Sequence, residues 1–133
     1  MVKKVKLTPA EWDVMNAIWE MGGECSVRDV IEHSYAKGEK AYTTIQAFMN
    51  ILERKGVLQR RKVGLVNFYT PTRSKDKVVK AEMSSMISRM FGGSITALAS
   101  SLMSLENVSL KEIQSIKELL NKKEKELQGN KNE

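Results

Sequence analysis

The residues with the most informative chemistry lie in a polar helical stretch that opens at Tyr42. Threonine, glutamine and asparagine both donate and accept hydrogen bonds, and glutamine or asparagine suits adenine in the major groove of a duplex. Threonine methyl groups can in addition contact the methyl group of thymine. We therefore predict a helix that reads base edges. The residues assigned to this role are Thr43, Thr44, Gln46, Ala47 and Asn50.

The alternative for this stretch is a polar face that contacts only solvent, and composition alone does not separate the two. Two neighbouring features favour base reading, because the face carries no charged residue before Glu53 and the basic segment Arg60-Arg61-Lys62 follows it. Such a segment can also protect an edge strand from aggregation, although acids would serve that purpose equally well. We therefore expect contacts to phosphates. The predicted phosphate contacts are Lys40, Tyr42, Arg54, Arg60, Arg61 and Lys62.

Positive charge is concentrated around these residues. Residues 40–73 contain seven bases and one acid, a net charge of +6, which equals that of the whole chain of 133 residues. The residues before them carry five bases and seven acids, and those after them carry ten bases and eight acids. A local basic patch indicates a polyanionic partner at one face of the protein.

The remaining reactive residues form no catalytic or metal-binding pattern. His33 is the only histidine and Cys25 the only cysteine, so a zinc ligand set and an intramolecular disulfide are not expected. We expect His33 on the surface or partly buried in a helix, and Cys25 as a small packed side chain without a resolving cysteine for redox sensing. No phosphate-binding loop, paired-carboxylate site or Ser-His-Asp set can be assembled, so we predict neither an enzyme nor a cofactor.

Helix and turn signals place the polar helix in a small domain. Thr8-Pro9-Ala10-Glu11 and Ser26-Val27-Arg28-Asp29 are capping boxes that start two helices before it. Alternating residues 57–61 and 66–70, on either side of Gly64, predict a β-hairpin. Within it, we expect Phe68 to pack inward and Tyr69 to face outward, where it could stack on sugar or backbone. The fold class is mainly α with a small β-hairpin, and residues 1–73 are predicted to form a winged helix-turn-helix DNA-binding domain.

Residues 74–133 are predicted to form a helical dimerisation arm. Three amphipathic helices follow, the first ending at Gly92-Gly93 and the others capped by Ser94 and Ser109, with residues from Gly129 onward expected to fray. Each helix needs a partner surface for its apolar stripe, and a second copy of the chain is the simplest one. The predicted dimerisation residues are Leu98, Leu102, Ile113, Ile116 and Leu120.

Four segments resemble the penicillinase-repressor family of bacterial winged-helix repressors, BlaI/MecI/CopY. The likeness is dense in the N-terminal half and looser through Gly92-Gly93 and the helix from Ser109 to Leu120. It implies a homodimer whose C-terminal helices interlock and whose recognition helices enter successive major grooves of a palindromic operator. The four segments are Leu7-Thr8-Pro9-Ala10-Glu11-Trp12-Asp13-Val14-Met15, Ile18-Trp19, Ala41-Tyr42-Thr43-Thr44-Ile45 and Leu52-Glu53-Arg54-Lys55-Gly56.

Two departures limit what the resemblance implies about regulation. The copper-responsive branch carries paired C-terminal cysteines, whereas this chain has none after Cys25, so copper sensing is not expected. In the β-lactam-responsive branch, a protease linked to a membrane sensor cuts an Asn-Phe bond in the dimerisation helices. The nearest position here is Ser101-Leu102, so the residues at that site differ.

The leading hypothesis is that the protein is a cytoplasmic, dimeric transcriptional repressor that binds operator DNA. No apolar run approaches the ~20 residues that span a bilayer, and the basic N-terminus is followed by Pro9, Glu11 and Asp13 instead of an apolar segment, so neither membrane insertion nor export is expected. The alternatives are a winged-helix module that docks another protein, a non-specific architectural DNA binder, and a DNA-binding enzyme or redox sensor centred on His33 and Cys25.

Overall fold

The chain folds into six α-helices and one two-stranded antiparallel sheet, as a computed structural model describes it for residues 5–131. It divides into two compact units, Met1–Met86 and Ile87–Glu133, and the division falls within the fourth helix. The predicted fold class is confirmed. The elements are α1 (Pro9–Met21), α2 (Val27–Ser34), α3 (Tyr42–Arg54), β1 (Leu58–Val63), β2 (Val66–Pro71), α4 (Lys75–Phe91), α5 (Ile95–Met103) and α6 (Leu110–Lys131).

Capping boxes start the first two helices, as predicted. The Thr8 amide donates to Glu11 Oε1 at 2.9 Å, and the Glu11 amide donates to Thr8 Oγ1 at 3.3 Å. Ser26 and Asp29 repeat this exchange at 2.9 and 3.2 Å. These local bonds satisfy backbone donors that a helix start would otherwise leave unpaired, so the short sequence motif fixes where each helix begins.

The first unit has a continuous apolar core. Helix α3 contributes Ile45, Met49 and Leu52, all fully buried, with Phe48 partly buried beside them, so that its apolar residues recur at helical spacing. Because these residues occupy one side of α3, the polar residues are left on the opposite side. The other buried hydrophobic residues are Leu7, Val14, Met15, Ala17, Ile18, Cys25, Val27, Val30, Val57, Leu58, Tyr69 and Val78.

The hairpin is joined to the helical body through Tyr69 in β2. Strands β1 and β2 pair from Leu58 opposite Pro71 to Val63 opposite Val66, with Gly64 in the turn at a φ of +64°. Cys25 and Tyr69 form an isolated antiparallel bridge, in which their amides donate to each other's carbonyls at 3.0 and 2.7 Å. The segment before α2 therefore pairs with β2 and fixes the hairpin against the helices.

The predicted orientation of the hairpin aromatics is wrong. Tyr69 is fully buried in the core, whereas Phe68 is only half-buried on the other face of the strand. The reason lies in the register, since Tyr69 is opposite Arg60 and lies two positions along the same face from the pair formed by the buried Leu58 and the half-buried Pro71. A tyrosine can occupy this place because its hydroxyl finds a hydrogen-bond acceptor within the domain, Asn50 in α3.

The second unit has no buried core of its own. None of the side chains described for residues 87–130 is buried, and α5 and α6 present exposed apolar residues that include Ile95, Leu110 and Leu119. Helix α6 continues to Lys131, so the fraying expected from Gly129 is wrong for residues 129–131, and residues 132 and 133 lie outside the described part. Within residues 5–131, no helix combines the length and the apolar character that a bilayer-spanning segment requires.

Candidate nucleic-acid interface

Helix α3 presents a polar face to the outside of the first unit. Thr43, Ala47 and Arg54 are exposed along this face, and Tyr42 at its start is 51% exposed. Thr44, Gln46 and Asn50 are half-buried at the edges of the face. Every predicted base-reading residue therefore lies on the side of α3 that is not used by the core, over a length of two helical turns.

The start of α3 differs from the starts of α1 and α2. Its N-cap residue is Ala41, which provides no side-chain hydrogen bond to the first turn. Helix N-termini carry partial positive charge and backbone donors, which makes them suitable for contacts with phosphate. Lys40, an exposed predicted phosphate contact, directly precedes this start.

A cleft of about 380 Å³ lies beside this face, between the starts of α2 and α3 and the turn of the hairpin. Its lining is mixed, with apolar residues from the hairpin turn and polar residues from the two helices. The cleft gives α3 and the hairpin a common concave surface on one side of the domain. The lining residues are Ser26, Val27, Arg28, Tyr42, Gln46, Leu65, Val66, Asn67 and Tyr69.

Two of the three basic residues in β1 are held by carboxylates of the same chain. Arg60 Nε lies 3.0 Å from Glu53 Oε2 at the end of α3. Arg61 binds Glu24 with both ends of its guanidinium fork, Nε to Oε2 at 3.0 Å and Nη2 to Oε1 at 2.6 Å. The hydrogen bond from Arg61 lowers the pKa of Glu24. Among residues 5–131, Lys62 has no such ion pair.

A connected set of polar residues joins α3 to the hairpin. The Tyr69 hydroxyl donates to Asn50 Oδ1 at 2.8 Å, and Arg60 lies opposite Tyr69 on the neighbouring strand. Burial raises the pKa of Tyr69, and the positive charge of Arg60 opposes that effect. Asn50, Tyr69, Arg60 and Glu53 thus form one connected set.

Sequence reasoning missed the partners in these contacts. The sequence gives Glu53 only as the residue that ends the uncharged face, and it indicates no role for Glu24. A signal existed for Glu53, because it lies three residues after Asn50 and so on the same side of the helix. No comparable signal existed for Glu24, which is 37 residues away from Arg61.

The basic patch is also smaller than the charge count indicates. Lys55 is one of the seven bases in residues 40–73, but its ammonium group binds the buried carboxylate of Glu11 and the carbonyl of Lys6. Burial acts to raise the pKa of Glu11, yet the hydrogen bonds from Lys55 and Thr8 and the charge of Lys55 outweigh it, so the pKa is lowered. Lys55 therefore stabilises the folded domain and does not add to the basic patch.

The histidine and the cysteine occupy the places expected for them. His33 is exposed, with Nδ1 2.8 Å from Ser34 Oγ and Nε2 3.7 Å from Glu20. Cys25 is buried, and burial together with the nearby Asp29 and Glu24 charges raises the pKa of its thiol to about 11. Within the described residues, no group of three or more histidine, cysteine, aspartate or glutamate side chains could hold a metal ion.

The residues predicted for dimerisation and cleavage lie in the second unit. Leu102 in α5 and Leu120 in α6 are 44% and 63% exposed, and Leu98, Ile113 and Ile116 are half-buried. Ser101 is exposed beside Leu102. These residues are available for contacts beyond the chain itself.

Three helices followed by a basic hairpin, with a polar face on the third helix, define a winged helix-turn-helix protein of the DNA-binding class. The family model described as the penicillinase repressor matches residues 7–122, and the chain belongs to this family. The family comprises DNA-binding transcriptional repressors, which confirms the prediction that the protein is not an enzyme.

Individual relatives are similar over almost the whole chain. The penicillinase repressor of Staphylococcus aureus is 28% identical over 90% of this chain and 94% of its own length. The methicillin resistance regulatory protein MecI of the same species is 26% identical over 91% of this chain and 98% of its own. The solution structure of the DNA-binding domain of the repressor BlaI is 31% identical and covers 56% of this chain and 90% of that one, with a TM-score of 0.49.

Proposed function

We propose that this protein is a cytoplasmic transcriptional repressor that binds a palindromic operator as a homodimer. The observation that carries the proposal is the exposed polar face of α3 beside a basic strand on one side of the first unit. Family membership supports the repressor role, since the relatives are named as a penicillinase repressor and a methicillin resistance regulator.

The side chains divide into two roles on the duplex. Thr43, Thr44, Gln46, Ala47 and Asn50 meet base edges, and the basic residues bind phosphates without regard to sequence. Lys40, Tyr42, Arg54 and Lys62 are exposed and can do so directly. Arg61 holds Glu24 through Nε and Nη2, and Arg60 lies against Glu53 through Nε, so each guanidinium group keeps donors that a phosphate could use.

A second copy of the chain is the proposed partner of the arm. The second unit leaves Leu102, Leu120 and other apolar side chains exposed, and nothing within the described unit buries them. Isolated short helices are marginal in water, so their apolar stripes require a partner surface. Pairing the arms through Leu98, Leu102, Ile113, Ile116 and Leu120 would join two reading domains and raise the affinity for a two-fold site.

Release from DNA by proteolysis is a further part of the proposal. Ser101 and Leu102 are exposed but lie within α5, so the helix must unwind locally before a protease can hold the bond in an extended form. A cut there would separate α6 from the DNA-binding domain. The protease would be one linked to a membrane sensor, as the family resemblance implies.

Binding to the protein's own upstream region tests the proposal. We expect the purified protein to be a dimer at micromolar concentration and to retard an inverted-repeat probe from that region more strongly than random duplex. Lys62→Ala should weaken both complexes, whereas Lys77→Ala, which removes an exposed base from α4, should weaken neither. A monomer, or equal affinity for both probes, would contradict the proposal. Binding that resists high salt and follows another protein would favour the protein-docking alternative.

A further inference from the structure

We propose that Tyr69 is a positioning residue that orients the Asn50 amide, so that Asn50 offers a hydrogen-bond donor to DNA and selects a base edge that carries an acceptor. The inference rests on the proposed DNA-binding function and specifies how one position of the operator is read. Neither strand position nor helix spacing gives this role to Tyr69, which was expected to face outward.

The first step is the polarity of the contact between Tyr69 and Asn50. An asparagine side chain has an acceptor and a donor end, and a tyrosine hydroxyl can bond either. The structure places Asn50 Oδ1, which can only accept, 2.8 Å from the hydroxyl oxygen, so the hydroxyl gives its single proton to Asn50. Arg60 lies opposite Tyr69 in the strand pair, and its guanidinium group only donates, so it offers that proton no competing acceptor.

The second step is the burial of that hydroxyl group. Tyr69 has no exposed surface, so its proton cannot be given to bulk water and needs a partner within the protein. Asn50 Oδ1 lies 2.8 Å from the hydroxyl oxygen and supplies the acceptor. The oxygen of the amide is thereby turned toward the core, and the opposite end, Nδ2 with its two hydrogens, is turned away from Tyr69.

The third step is what holds Arg60 in place. Its Nε forms an ion pair with Glu53 Oε2 at 3.0 Å, and Glu53 lies three residues after Asn50 in the same helix. The connected set runs from Glu53 through its ion pair with Arg60, through Tyr69 opposite Arg60, to Asn50, which accepts the hydroxyl proton. It starts and ends on α3 and passes through both strands of the hairpin, so the hairpin fixes the orientation of a reading residue.

A fixed donor at this place has a definite preference among bases. In the major groove, guanine and adenine offer N7, guanine adds O6 and thymine offers O4, whereas cytosine offers only the donor N4. Asn50 should therefore disfavour cytosine at the base that it meets. Simultaneous donation to N7 and acceptance from N6 of adenine is impaired, since Oδ1 is already engaged by Tyr69.

The test measures the affinity for operators in which each position is replaced by each of the four bases. Tyr69→Phe keeps the ring and removes the hydroxyl. We expect it to lose about tenfold discrimination against cytosine at the same position as Asn50→Ala. The double variant should discriminate no less than Asn50→Ala alone, and the affinity for random duplex and the salt dependence should not change. Tyr35→Phe is the matched control, because it removes a tyrosine hydroxyl away from α3 and the hairpin.

Asn50→Asp provides a test that does not depend on altering the core. Aspartate has the shape of asparagine and can still accept from Tyr69, but its second oxygen is an acceptor. The preference at this position should therefore reverse toward cytosine, whose N4 donates. Equal losses for all sequences in Tyr69→Phe, additive effects in the double variant, or an unchanged preference in Asn50→Asp would each overturn the inference.

Failure of the inference is distinguishable from failure of the proposed function. If the unaltered protein shows no preference for its operator over random duplex, the proposed function is wrong. If that preference is present and Asn50→Ala retains it at every position, only the assignment of Tyr69 and Asn50 is wrong. Circular dichroism of each variant separates loss of reading from loss of fold.

Discussion

Lys55, just after α3, donates a hydrogen bond to the buried carboxylate of Glu11 in the first turn of α1. The Glu11 side chain is 4% exposed and that of Lys55 is 33% exposed. The same carboxylate accepts from the Thr8 amide, so it completes a capping box and neutralises a lysine at once. This contact ties the C-terminal end of the reading helix to the start of the domain.

Lys55→Met should destabilise the fold, because it leaves a buried carboxylate without its cation. We expect a loss of about 2 kcal/mol in the free energy of unfolding, less than the 3–5 kcal/mol of a fully buried pair, since Lys55 is partly exposed. Urea denaturation at neutral pH measures the change. Lys77→Met is the control at an exposed lysine, and a loss of equal size there would contradict the assignment.

The ion pair between Lys55 and Glu11 also predicts that the stability of the fold depends on pH. The folded pKa of Glu11 is lowered, so its contribution is present above the unfolded pKa and is lost as the pH falls through the folded pKa. Glu11→Gln should reduce stability at neutral pH and make it less sensitive to pH in the acidic range below the ordinary glutamate pKa. Thermal melts between pH 2 and 7 measure the melting temperatures of the unaltered protein and of Glu11→Gln. The two melting temperatures should converge as the pH falls, and a constant difference between them would contradict the role of Glu11.

Glu24→Gln should strengthen binding to any duplex, because it frees Arg61 from its carboxylate without removing the base. Exposed ion pairs are weak, so we expect a gain of about two- to fivefold at low salt for operator and random DNA alike. Titrations over a range of salt concentrations measure it. Glu32→Gln removes the same charge from α2 and is the control for net charge alone, so a gain of the same size in both variants would exclude a specific release of Arg61.

Leu120→Asp should dissociate the proposed dimer, since it places a charge in the apolar stripe of α6. We expect a monomer by sedimentation and a loss of operator affinity of about a hundredfold through lost linkage. Gln114→Asp introduces the same charge at an exposed polar position of this helix. A Leu120→Asp protein that stays dimeric would show that α6 pairs through another face.

Cys25 should be unreactive while the protein is folded. With a pKa of about 11, only about one thiol in a thousand is ionised at pH 8. An aromatic disulfide reagent should therefore modify the native protein slowly and the urea-unfolded protein rapidly. Rapid modification at pH 8 without loss of structure would reopen a redox role for this residue.

Local signals in the sequence predicted much of this fold. The caps at Thr8 and Ser26 act over three residues, and the apolar stripe of α3 follows helical spacing, so both could be read without knowing the tertiary structure. The turn at Gly64 was predicted for the same reason.

Contacts between distant segments could not be predicted in this way. Whether Phe68 or Tyr69 faces the core depends on how the hairpin meets α3 and on the bridge to Cys25, which is 44 residues away. The pairing of Arg61 with Glu24 likewise requires the folded chain. Net charge located the basic patch, but it could not show which bases are already neutralised.

The carboxylates beside Arg60 and Arg61 bear on how such a protein would search a chromosome. On non-operator DNA, Glu24 and Glu53 compete with the phosphates for Arg61 and Arg60. Complexes with such DNA should therefore dissociate quickly. At the operator, contacts between α3 and the bases add binding free energy that offsets this competition. Glu24 and Glu53 would then shorten the time that the protein stays bound to non-operator DNA, and would lower its affinity for duplex DNA in general.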